Sequence, residues 1–112
     1  MILTDYSGKK ERANVGAVTL HTSFDKTAAV NTSSFNVARI EREGAGSYWV
    51  YFTNPAAFTT YQVALGTSRP LEFAYCDIVE KNRFKIKIVK TGTDTPVEPT
   101  GKISVICTGG DY

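Results

Sequence analysis

Methionine, tryptophan and histidine each occur once in the 112 residues, and cysteine only twice. The lone His21 leaves no metal site built from several imidazoles. Cys76 and Cys107, 31 positions apart with no CxxC pair, support neither a zinc site nor a disulfide framework and read as two buried thiols. No apolar run approaches the length of a membrane span, and the polar stretch Met1 to Arg12 has no hydrophobic signal-peptide core, so a soluble chain without an export signal is expected. Charge is equally undirected. A net charge of +2 and a pI near 8.6 do not mark a dedicated nucleic-acid binder.

Long aliphatic helix formers are also scarce. Leu and Met together number 5, against 31 for Val, Ile and Thr. β-Branched side chains are stiff at χ1 and suit pleated surfaces, so the composition predicts an all-β domain and excludes long amphipathic helices. A chain of this length buries about two thirds of its surface on folding, enough for a core of its own.

Period-two alternation, punctuated by Gly, Pro, Asn and Asp, divides the chain into a flexible N-terminal arm at 1–14 and a single domain at 15–112. Strands are expected at Val15–Phe24, Phe35–Arg42, Ser47–Phe52, Thr60–Gly66, Leu71–Val79, Arg83–Lys90 and Lys102–Thr108. In the first of these, Val18, Leu20 and Phe24 are placed on one side. The strongest local signal is a hairpin whose arms flank Glu43-Gly44-Ala45-Gly46, because glycine accepts the positive φ that a tight turn needs. The cleanest alternation is Phe84-Lys85-Ile86-Lys87-Ile88, apolar on one face and cationic on the other; at a sheet edge its lysines would oppose aggregation. Short antiparallel strands with no helical pattern between them predict a small β-sandwich of about seven strands, with Ig-like and jelly-roll-like orders both open.

Catalytic constellations are missing from the pattern. His21 sits inside a strand with no nucleophile elbow, while Glu41 with Glu43, and Asp94 with Glu98, read as solvated turn carboxylates and not as a glycosidase pair. No phosphate loop, dinucleotide fingerprint or calcium loop occurs, so no enzyme activity, cofactor or metal is expected. Asn31-Thr32-Ser33 fits a glycosylation sequon by chance.

Two features mark a candidate interaction surface instead. Lys81, Arg83, Lys85, Lys87 and Lys90 lie within ten residues, with Lys85 and Lys87 on one strand face. No aromatic of the stretch shares the strand face of Lys85 and Lys87, which argues against single-stranded nucleic acid. Tyr48-Trp49-Val50-Tyr51-Phe52 is apolar on both faces, so Tyr48, Val50 and Phe52 enter the core while Trp49 and Tyr51 need a cover, supplied by the chain's own arm and loops or by a partner subunit. Such a ring pair also suits sugar stacking.

The ordered set Gly16–Phe24, Ser34–Ile40, Gly46–Thr53, Tyr61–Gly66, Phe84–Lys90 and Lys102–Cys107 resembles a β-domain of virion proteins of tailed phages, especially those of marine cyanobacteria. The motif runs as an S-aromatic-N-V-x-x-I arm, a G-x-Y-x-V-x-F return arm and a late F-x-I-x-x-V strand. The resemblance implies a non-enzymatic virion protein assembled in the host cytoplasm, with no catalytic residue to carry over. No shaft or tail-attachment segment is seen in the chain, so a capsid decoration (knob) protein on the major capsid protein is expected, with a tail-fibre or receptor/carbohydrate-binding module as the alternative. Trp49, Tyr51, Lys85, Lys87, Lys9, Lys10 and Arg12 are the candidate partner-binding residues, the arm folding across the neighbour. The partner is a virion protein, or a tail protein or host glycan in the alternative; nucleic acid and membrane are not expected, and a homo-oligomer is left open.

Overall fold

The computed structural model describes residues 18–56 and 59–109. The arm expected at 1–14 and the expected start of the first strand at 15–17 lie outside the described residues.

Seven strands form, β1 (Val18–Phe24), β2 (Val37–Gly44), β3 (Ser47–Phe52), β4 (Gln62–Thr67), β5 (Glu72–Val79), β6 (Arg83–Lys90) and β7 (Ile103–Thr108). They make a β-sandwich in which a three-stranded sheet, ordered β1-β7-β4, faces a four-stranded sheet, ordered β2-β3-β6-β5, with every pairing antiparallel. The described residues contain no helix.

The inward rows follow from the alternation. Tyr48, Val50 and Phe52 of β3 lie beside Phe84, Ile86 and Ile88 of β6, and Leu20 and Phe24 of β1 beside Ile103, Val105 and Cys107 of β7; all are buried in one cluster. Five rings tile its centre, with Phe52 and Tyr61 5.2 Å apart edge to face and Phe84 within 6.1 Å of both; Phe24 meets Tyr48 at 5.0 Å. Both buried phenols are satisfied, Tyr48 donating to Glu98 at 2.8 Å and Tyr61 to the Glu80 carbonyl at 2.5 Å. Burial pushes each hydroxyl above the ordinary tyrosine range.

Departures from the expected pattern have local causes. A bulge between Val18 and Leu20 shifts the β1 register, so Val18 turns outward while Leu20 and Phe24 stay in the core. β2 opens at Val37, not Phe35, because Asn36 takes a φ of 63° and its side chain ties Thr19 and Asn54 together. Phe35 is thereby left to bridge His21. The β2–β3 turn is tighter than expected: Gly44 pairs with Ser47, leaving Ala45-Gly46 as the loop. Gly46 has φ +67°, and a Cβ there would stand 2.5 Å from the Ile88 carbonyl, so only glycine fits. β6 is interior, flanked by β3 and β5, so its lysines guard no edge. Of the two thiols, Cys107 is fully buried and pushed up to about 12 by desolvation, whereas Cys76 is only half-buried.

Ile103 is buried and Ile106 is 47% exposed on the same strand. Ile103→Ala should lower unfolding free energy by about 2–5 kcal/mol and Ile106→Ala by less than about 0.5. Urea melts of the two variants check this; equal losses would contradict the assigned facing of β7.

Candidate functional site

Outward residues of the four-stranded sheet alternate with its core rows, and the register brings them together. Trp49 faces Glu41 on β2 and Lys85 on β6; Tyr51 faces Arg39 and Arg83; Tyr75 faces Lys87. Four of the sequence-derived candidates, Trp49, Tyr51, Lys85 and Lys87, therefore share one surface. Lys9, Lys10 and Arg12 lie outside the described residues.

That surface is held by its own charges. The Arg83 guanidinium stacks 3.7 Å over the Trp49 ring, bonds Glu80 at 2.8 Å, and donates to the Tyr51 hydroxyl at 2.9 Å. Arg39 covers Tyr51 at 3.7 Å and bonds Glu41 at 2.8 Å, while the Tyr51 hydroxyl donates to the other Glu41 oxygen at 3.0 Å. Glu43, the bulged residue before the turn, accepts from Lys85 at 2.7 Å and from Ser47 at 3.0 Å, with the Trp49 indole nitrogen at 3.4 Å. The Lys85 ammonium lies 5.1 Å from the Trp49 ring, its side chain only 13% exposed. Trp49 as a result is 8% exposed.

Three expectations change in consequence. The cover over Trp49 and Tyr51 includes neighbouring cations on the same sheet face, a source that the choice between arm, loops and partner subunit did not contain. The basic stretch is not an open cationic face, because Arg83 and Lys85 are paired with carboxylates. Glu41 and Glu43 are structural partners of that face and not merely solvated turn residues. Glu98 is likewise engaged: it bonds Arg42 and Tyr48, and so fastens the loop after β6 to the β2–β3 hairpin. Arg39, Glu41 and Glu43 were missed as members of the site. Their i, i+2 spacing opposite Trp49 and Tyr51 carried the signal, but only with the pairing register in hand.

The remaining candidates are accounted for locally. His21 is exposed and stacked 5.8 Å from Phe35. Asn31 of the sequon closes a turn, its carbonyl oxygen accepting from the Ser33 backbone at 2.9 Å and its amide donating to the Ser23 carbonyl at 2.8 Å. Among the described residues, no group of three or more His, Cys, Asp or Glu could hold a metal, and no helix is long and apolar enough to cross a membrane. Comparison of the chain with family models, curated proteins and solved structures found no match.

Two outcomes follow from the geometry. With Trp49 the only indole, Arg83→Ala should increase acrylamide quenching of tryptophan fluorescence and shift its emission to the red, since the stacked guanidinium is gone; unchanged quenching would show that other groups alone shield the ring. Glu41, Glu43 and Glu98 have carboxyls held below the ordinary value of 4.5, chiefly by hydrogen bonds from Arg39, Lys85 and Arg42. A depressed folded pKa gives stability that is complete above 4.5 and is lost as pH falls through the folded values. Urea melts on descending from neutral pH should therefore lose stability below that value, and Glu98→Gln should lose less on acidification than the parent. An identical pH slope in the variant would remove Glu98 from the account.

Proposed function

We propose that this protein is a non-enzymatic structural component of a tailed-phage virion, a decoration protein docked on the outside of the capsid shell. The reading joins the resemblance of its ordered strand motifs to phage virion β-domains with one structural observation: the outer face of the four-stranded sheet is a stiff plate of stacked cations, rings and carboxylates. A surface already ordered in the unbound chain loses little side-chain freedom on docking, which favours a lasting protein–protein contact. Lys87 and the outer edges of Arg39 and Glu41 present charge at the rim, where it sets orientation and association rate more than affinity.

The carbohydrate-binding alternative is less well served by this plate. Sugar stacking needs an open ring face, and one face of Trp49 is taken by Arg83 and one of Tyr51 by Arg39. The partner that suits the plate is a protein surface of alternating charge, supplied under this reading by the major capsid protein.

The purified chain, mixed with undecorated shells, should bind saturably at a copy number on the scale of the capsomers, and Lys85→Glu with Lys87→Glu should reduce occupancy severalfold. Occupancy at the few copies expected of fibres, or none, would move the protein off the shell. A positive glycan array with no shell binding would establish the alternative.

A further inference from the structure

The four-stranded sheet ends at β5, and this edge differs from the opposite one. β2 exposes Arg39 and Glu41, the kind of charge that blunts an unpaired strand. β5 and the residue before it expose Leu71, Phe73, Tyr75, Ile78 and Val79, with Phe73 54% exposed and stacked 6.1 Å from Tyr75. A long apolar edge whose amides and carbonyls are mostly without a partner among the described residues invites another strand.

The backbone says which groups turn to the open side. Ile88 gives its N–H to Gly46 and its carbonyl accepts from Val97, so it faces away from β5. Lys87 and Val89 consequently face β5 and bond their register partners Tyr75 and Phe73. Glu72, Ala74 and Cys76 then turn their amides and carbonyls to the open side. The Thr67 hydroxyl, which reaches the Glu72 carbonyl at 3.2 Å, agrees with that assignment.

We propose that β5 is where two copies of this chain pair, antiparallel and about a twofold axis through Ala74, fusing their four-stranded sheets into one. Three features select a second copy and this register. The pairs Ala74 with Ala74 of the other copy, and Glu72 with Cys76, match residues whose backbone groups turn to the open edge. All of them precede the bulge between Cys76 and Ile78, which ends the regular stretch, whereas an axis through Tyr75 needs Ile78 and crosses it. On the outer face the same register sets Phe73 of each copy against Tyr75 of the other, aromatic on aromatic, and Leu71 against Asp77, while Glu72 meets Cys76 on the inner face. An axis through Cys76 instead opposes Glu72 and Glu80, like charge against like. The pairing is independent of the capsid reading.

Sedimentation of the intact chain over micromolar to near-millimolar concentration tests it. The parent should pass from monomer to dimer. Tyr75→Lys sets a charge against Phe73 and should remain monomeric with an unchanged circular-dichroism spectrum. Ala74→Pro should do the same, since it removes only an outward amide, the one place where a strand tolerates proline. In a Cys76→Ser background, Ala74→Cys should form a reducible dimer under mild oxidation, because a hydrogen-bonded antiparallel pair holds its Cα atoms about 5.5 Å apart, within disulfide reach. A parent that stays monomeric, or a dimer that survives both Tyr75→Lys and Ala74→Pro, overturns the proposal; a monomer that takes up an extended foreign peptide at β5 assigns the edge to another protein.

Discussion

The last strand is the constraint on which the fold depends. β1 and β4 do not pair with each other; of the seven strands each pairs with β7 alone, which lies between them and follows all the others in sequence. Until Ile103–Thr108 is in place the three-stranded sheet has no centre, and Leu20, Phe24 and the inward side of β4 have no sheet to belong to. The ladders on either side of β7 join residues far apart in sequence, so the entropy of closing those loops must be met before any of its contacts form. The hairpins β2–β3 and β5–β6 close locally by contrast, and they supply the preformed surface against which the closing strand packs.

A second constraint acts on the opposite side of the molecule. Trp49 and Tyr51 must point away from the core because Tyr48, Val50 and Phe52 fill it, and a sheet face cannot leave two large rings in water without consequence. The chain resolves this with cations placed on both flanking strands, Arg39 on one side and Arg83 with Lys85 on the other, each held in position by a carboxylate. Individually such exposed pairs stabilise little, and their worth here lies in order: rings, guanidinium groups and carboxylates fix one another's rotamers. The result is an ordered outer face in which both rings are partly covered by cations.

The edges complete the contrast. β2 exposes charge at one end of the sheet, while β5 carries rings and aliphatic side chains into solvent at the other. Asn31 closes a turn, and His21 stacks on Phe35.

All seven strands were legible in the sequence to within a few residues, because burial on one side of a pleat writes itself as period two and Phe84-Lys85-Ile86-Lys87-Ile88 could hardly be read otherwise. The β2–β3 hairpin was legible too, through Gly44 and Gly46, although its loop is shorter than Glu43–Gly46. What the residues could not reveal was who lies beside whom. The insertion of β7 between β1 and β4, the interior position of β6, the meeting of Arg83 with Trp49 and the pairing of Glu43 with Lys85 all join residues distant in sequence. Alternation along a strand records only which face is dry; the neighbour across the ladder is chosen by long-range packing, and that choice alone turned scattered rings and charges into a surface.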